Sequence, residues 1–228
     1  MRVVTYNTHK CRGLDGRTSA TRIAEVLLEI EADVIALQEV LEHQAETIAR
    51  ELRMNYVLGE TRKRRGYAYG NVVLSRFPIR DARNYDLSVR GREERGCLRA
   101  DLQVNGSVLH VFNVHLGTAL LERRVQGRRL VAPELLNAAE IESPRIVLGD
   151  FNEWTQGLAT RLLRQHLESA DLRVHLQRRK TYPGVLPILH LDHIYYDPVL
   201  RLERLMLWRT KKALVASDHL PLVGEFRW

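Results

Sequence analysis

Asp150 and Asn152 lie two apart at the end of Arg145-Ile-Val-Leu-Gly-Asp-Phe-Asn152. The unbroken branched run Ile146-Val147-Leu148 reads as a short buried strand, and Gly149 lets the backbone turn after it. On an extended chain residues two apart point the same way, so this carboxylate and carboxamide leave the strand together while Phe151 faces the packed side. A carboxylate accepts a proton or orients a water, and a carboxamide donates to an anionic oxygen. Such a pair suits attack of water on a phosphate ester. Other polar residues end strand-like runs in the same manner. Glu39 closes Val34-Ile-Ala-Leu-Gln-Glu39 and is a suitable hard-oxygen ligand for Mg²⁺. Asn7 closes Val3 to Asn7 and could hold the same ion or its waters. Asn113 and His115 alternate with Phe112 and Val114, so they share one face, where His115 could donate to a phosphate oxygen or a leaving group. His219 needs a carboxylate that fixes its tautomer. Asp192, in His190-Leu-Asp-His193, is the candidate, because the adjacent Asp218 points elsewhere on an extended chain. Taken singly, each of these residues is also ordinary turn or surface chemistry.

The elements that must position them can be read from hydrophobic spacing. Ser19 caps a helix whose Ile23, Val26, Leu27 and Ile30 form one apolar face. A second helix is predicted over Gln44–Arg53, and a short strand over Tyr56–Leu58. The cationic run Arg62-Lys-Arg-Arg65 reads as a loop before a strand at Tyr69–Ser75. Strands follow at Ile79–Leu87, Cys97–Val104 and Val108–Leu116, the last two joined by the hairpin signal Asn105-Gly106. A basic helix spans Leu120–Val131, and Pro133 ends it or opens another to Ala139. Beyond the Asp150 strand come a helix at Leu158–Leu167, a loop with Pro183-Gly184 and Pro187, and strands at Asp192–Tyr196, Leu200–Trp208 and Leu220–Phe226. Strands outnumber helices and occur as hairpins, which suggests sheets packed face to face with helices outside.

The 228 residues are 45% hydrophobic, enough for one sizeable core, and no repeat or linker divides them, so a single domain over residues 1–228 is expected. No apolar run is long enough for a membrane span, and Met1-Arg2 leads straight into strand-like sequence rather than a signal peptide. Cys11 and Cys97 have no metal or disulfide spacing and read as reduced thiols of a cytoplasmic protein. The net charge of +7 favours polyanionic partners. The basic runs Arg62–Arg65, Arg123-Arg124 with Arg128-Arg129, and Arg178–Lys180 could follow a phosphate backbone, with Arg62, Arg64 and Arg65 as substrate contacts beside Asn113. No long apolar hairpin for membrane entry is evident, and Trp154, Tyr195-Tyr196 and Trp208 are too scattered to form one.

Seven blocks in this order resemble the endonuclease/exonuclease/phosphatase superfamily: Thr5-Tyr-Asn-Thr-His-Lys10, Ala36-Leu-Gln-Glu-Val40, Gly70-Asn-Val-Val-Leu-Ser-Arg76, Asn113-Val-His-Leu116, Gly149-Asp-Phe-Asn152, Leu191-Asp-His-Ile194 and Ser217-Asp-His-Leu-Pro221. They span nearly the whole chain. The resemblance implies an α+β fold, a four-layer α/β/β/α sandwich of two mostly antiparallel sheets. It implies a phosphodiesterase using Mg²⁺, with Mn²⁺ as a substitute, and a monomer is expected. Residue by residue, it puts Asn7, Glu39 and Asp218 at the metal and His115 on the scissile phosphate. Asp150 would activate the water, Asn152 would bind phosphoryl oxygens, and His219, supported by Asp192, would stabilise or protonate the transition state. Tyr69-Gly-Asn-Val-Val departs from the abasic-endonuclease pattern, and His115 fits the deoxyribonuclease and sphingomyelinase branches. A nuclease is therefore the first expectation. A lipid or small-molecule phosphodiesterase or phosphatase is the alternative, and a non-catalytic nucleic-acid-binding protein is the third.

Overall fold

The computed structural model describes residues 1–153, 157–170 and 191–228. Two six-stranded sheets stack face to face. The first has the order β11-β12-β1-β2-β4-β3, formed by β1 (Arg2–Asn7), β2 (Val34–Leu41), β3 (Asn55–Arg64), β4 (Tyr67–Ser75), β11 (Arg201–Leu207) and β12 (Leu222–Arg227). The second has the order β5-β6-β7-β8-β10-β9, formed by β5 (Ile79–Asp86), β6 (Gly96–Val104), β7 (Ser107–His115), β8 (Arg145–Asp150), β9 (Glu168–Ser169) and β10 (Asp192–Tyr196). Each sheet holds one parallel pair, β1 with β2 and β7 with β8, and the remaining pairs are antiparallel.

The unbroken apolar runs follow from burial on both sides. In β2, Val34 and Ala36 face the second sheet, where they join Leu98, Val111, Ile146 and Leu148. Ile35 and Leu37 face outward and pack under α1 (Ala20–Ile30) and α2 (Glu42–Leu52), beside Ile23, Leu27 and Ile48. The short α5 (Lys211–Ala216) adds Ala213 and Ala216 to that layer. On the other side Phe112, Val114 and Val147 pack under α3 (Leu120–Leu130) and α4 (Leu158–Leu163). Two sheets between two helical layers make the four-layer sandwich.

Several local expectations need correction. β3 runs ten residues and includes Arg62, Lys63 and Arg64, so the basic run ends a strand and turns through Arg65-Gly66 into β4. β3 is an edge strand, where long cationic side chains reach water without interrupting the ladder. Pro133 opens no helix, since residues 131–139 form turns. The helix after Gly157 ends at Leu163. The apolar spacing of Lys211–Ala216 was too short to announce α5. Trp154, Pro183-Gly184, Pro187 and the Arg178–Lys180 run lie outside the described residues.

Candidate active site

The carboxyl ends of the two parallel pairs meet at one edge of the sandwich. Asn7 is paired with Gln38 across β1 and β2, and His115 with Asp150 across β7 and β8. At the first junction, β2 is bulged. Leu37 pairs with Val72 and Val40 with Gly70, so Gln38 and Glu39 together oppose Asn71. Glu39 adopts a left-handed φ of 59° within the strand, where the sequence placed it at the strand's end. A bulge re-aims a side chain, and here it turns Glu39 toward Asn7. At the second junction, Gly149 has φ 148°, and a Cβ there would lie 1.8 Å from the Val114 carbonyl oxygen. Only glycine lets β8 approach β7 this closely.

Asp150 is the hub. Its Oδ2 accepts from Asn7 Nδ2 at 3.0 Å and lies 3.8 Å from His115 Nε2 and 3.7 Å from His219 Nε2. Its Oδ1 accepts from the Asn152 backbone N–H at 2.9 Å. Asp192 sits behind His219, with Oδ2 3.0 Å from Nδ1. Asp150, Asp192 and both histidines are buried. Burial works against a charged His219, but Asp192 and Asp150 outweigh it and push the imidazole up to about 10. Burial pushes His115 the other way, and Arg95 adds to that, against the pull of Asp150 and Glu39. The two imidazoles flanking one carboxylate thus favour different protonation states.

Glu39 forms the second centre. Its Oε1 accepts from Asn7 Nδ2 at 3.4 Å, and its Oε2 is paired with the Lys10 ammonium. Burial opposes ionisation, but His115, Lys10 and Asn7 together hold the carboxyl well below the usual carboxylate range. Tyr69 also hydrogen-bonds Glu39, and burial with that negative charge raises its phenol. Among the described residues no three His, Cys, Asp or Glu side chains converge to hold a metal. Mg²⁺ needs only one or two carboxylates and keeps several waters, so an ionised, mostly buried Glu39 that already holds a cation fits that ion. Asp218 stands on the His219 side, with Oδ2 3.5 Å from His9 Nδ1.

Other predicted residues fall elsewhere. Asn152 is not extended: φ 50° turns it, and its Nδ2 donates to the Leu116 carbonyl at 2.9 Å. Asn113 shares the face of His115 but lies fully buried below it. Its Nδ2 donates to Leu37 and Val72 carbonyls, and its Oδ1 accepts from Gln38 Nε2 at 2.7 Å. Every polar atom of that carboxamide joins the two sheets, so a substrate contact by Asn113 is corrected to a structural bridge. Arg62 is held by Glu93 and Glu94 and lies over the Tyr69 ring, while Arg64 and Arg65 are exposed. Sequence reasoning assigned no role to Lys10, Tyr69 or Arg95. Lys10 is the middle of three successive left-handed residues, His9, Lys10 and Cys11, a conformation with no hydrophobic signature. Arg95, with Glu39, Tyr69, Asn71 and His115, lines a small depression beside the site.

Residues 4–219 match the Endonuclease/Exonuclease/phosphatase family. The chain is 31% identical to the uncharacterized protein YbhP of Escherichia coli (strain K12), over 98% of this chain and 95% of that protein. A mannosyl-6-phosphatase, Bt3783, from Bacteroides thetaiotaomicron VPI-5482 superposes with a TM-score of 0.81 at 18% identity, covering 100% of both chains. D. rerio TDP2 complexed with a single strand DNA product superposes at 0.78 with 16% identity, covering 100% of this chain and 99% of that one. Enzymes of the family act on phosphoester bonds and generally use divalent metal ions. With these matches and the four-layer sandwich, the chain belongs to the Endonuclease/Exonuclease/phosphatase family.

Proposed function

We propose that the protein hydrolyses a phosphodiester by in-line attack of a water activated by Asp150. The observation that carries this reading is the Asp150 carboxylate, fixed by Asn7 and Asn152 and flanked by His115 and His219 at 3.8 and 3.7 Å. Asp150 accepts the water's proton. Charged His219, oriented by Asp192, faces the phosphoryl oxygens and stabilises the charge that develops there. His115 donates to the scissile phosphate or to the leaving oxygen. Asn152, whose Nδ2 already donates to the Leu116 carbonyl, would offer its second N–H to the phosphoryl oxygens. Glu39, with Asn7 and Asp218, would hold a Mg²⁺ or Mn²⁺ ion. Such an ion, when bound, polarises the phosphoryl group and neutralises the leaving oxygen.

Nucleic acid is the substrate this reading favours, acted on as endo- or exonuclease. Lys63, Arg64 and Arg65 are exposed on the β3–β4 hairpin with half-exposed Tyr67, and Tyr69 of the same hairpin reaches Glu39. A second reading, a lipid-headgroup phosphodiesterase, is favoured by the exposed leucines of α3 just after His115. The test is a panel of plasmid, single-stranded and abasic DNA, RNA, phosphatidylinositol phosphates, sphingomyelin and bis-p-nitrophenyl phosphate, with and without Mg²⁺. Activity on nucleic acid supports the first reading. Activity confined to lipids supports the second, and activity on none rejects both.

A further inference from the structure

Helix α3 is built inside out. At about 100° per residue, Leu120, Leu121, Arg124, Val125 and Arg128 fall within one arc of roughly 140°. That arc faces solvent: Leu121 is 70% exposed, Leu120 53% and Val125 36%, with Arg124 and Arg128 also exposed. The opposite arc is buried, yet it holds Glu122, Arg123, Gln126 and Gly127. A helix that only covered a core would carry the reverse pattern.

The buried polar arc has its own explanation. Gln126 accepts from the Gly117 N–H at 2.8 Å and donates to the Leu87 carbonyl, and Arg123 donates to the Gly117 and Thr118 carbonyls. These bonds fix the loop that leaves His115. Gly127 allows close packing on α4, since a Cβ there would lie 2.9 Å from Ala159 Cα. Among the described residues nothing comparable accounts for the aliphatic arc, which begins five residues after His115.

We infer that this face of α3 docks the protein on an anionic lipid surface. Three aliphatic side chains are too small a patch for a stable protein interface, which needs about 800 Å² from each partner. They suit shallow insertion below lipid headgroups, where neighbouring arginines meet phosphates. The net charge of +7 favours the same partner, and among the described residues no helix is long and apolar enough to cross a membrane. A phosphate backbone would match the arginines and leave the leucines unexplained. The inference goes beyond the hydrolysis reading, because binding is measured with no substrate turned over.

The test is co-sedimentation of the full chain with vesicles of phosphatidylcholine alone and with about one-third phosphatidylglycerol, at low and at about 0.5 M salt. The protein is expected to bind the mixed vesicles at low salt and to bind phosphatidylcholine alone several-fold more weakly. Leu121→Glu, and separately the pair Arg124→Glu and Arg128→Glu, should each weaken binding about tenfold or more while leaving the melting temperature unchanged. Absence of binding to anionic vesicles overturns the proposal, as does binding that Leu121→Glu leaves intact. A wild-type dimer that Leu121→Glu converts to monomer also overturns it, because a second copy would then be what covers the face. Failure of hydrolysis in the substrate panel leaves this result standing, and failure of vesicle binding leaves the hydrolysis standing.

Discussion

At the scale of single residues, the chemistry of the site turns on how one carboxylate is surrounded. Asp150 has a donor on each oxygen and an imidazole on either side, so replacing it removes proton acceptance with little change in packing. Asp150→Asn and His219→Ala are each expected to lower kcat by about two to four orders of magnitude with circular dichroism unchanged. Asp192→Asn should act in the same direction but more mildly, since it removes only the group that orients and charges His219. Steady-state rates on bis-p-nitrophenyl phosphate measure all three, and a silent Asp192→Asn would separate His219 from its partner. Most of this set was legible in the sequence, because a polar residue that ends a buried apolar run announces itself. Asn113 misled for the same reason: alternation gives the face of a side chain but not its depth between two sheets. Lys10 stayed invisible because ion pairing across 29 positions leaves no local pattern.

At the scale of elements, two polar devices hold strands and sheets together, one of them at the site edge. One is the polar seam of Gln38, Asn71 and Asn113, which crosses between the sheets just beneath Asp150 and Glu39. Asn113→Leu would take the Nδ2 donor from the buried Leu37 and Val72 carbonyls, while Gln38 Nε2 would keep Thr5 Oγ1 and the Ala36 carbonyl as acceptors. It should destabilise the fold by about 2–4 kcal/mol, read as a lower urea midpoint at unchanged slope. The other lies at the opposite end of β6 and β7. Arg99 donates to both oxygens of Asp101 at 2.6 and 2.9 Å, and His110 Nδ1 lies 2.7 Å away. Burial opposes ionisation of Asp101, but these bonds and charges outweigh it and hold the carboxyl down to about 2. A carboxyl lowered on folding contributes stability above its unfolded value, and that contribution is lost as pH falls through the folded value. Denaturation midpoints should therefore drop between about pH 4 and pH 2 by an amount worth on the order of 1–2 kcal/mol, and Asp101→Asn should flatten that drop. Neither device could be read from the chain, since each pairs residues on neighbouring strands or sheets whose contact depends on register. The β2 bulge was equally hidden, because an extra residue in a strand leaves the apolar run unbroken.

For the whole molecule, the arrangement of strands explains where the site lies. Each sheet is antiparallel except for one central pair, and those two pairs end at the same edge, so three strand ends and the β2 bulge supply Asn7, His115, Asp150 and Glu39 together. The sandwich and the order of its motifs were legible, because strands buried on both faces give continuous apolar runs with polar endings. The course of the rim was not. Edge strands tolerate charge, so the β3 hairpin extended well past its apolar start, and α3 hid an aliphatic face among arginines. If the substrate is nucleic acid, replacing exposed Lys63, Arg64 and Arg65 with Ala should raise KM and flatten the fall of log affinity with log salt, with kcat nearly unchanged. Arg62→Ala should matter less for the salt slope, because Glu93 and Glu94 already hold that guanidinium. A divalent ion held by Glu39 is expected to serve a hydrolysis driven by Asp150. The most direct test of this is the rate of bis-p-nitrophenyl phosphate hydrolysis as Mg²⁺ is titrated into chelator-treated wild type and Glu39→Gln. The expected result is no turnover in chelator, saturable recovery with Mg²⁺, and a half-saturating concentration raised by about tenfold or more in Glu39→Gln. Full activity in chelator, or the same Mg²⁺ response in both proteins, would contradict it.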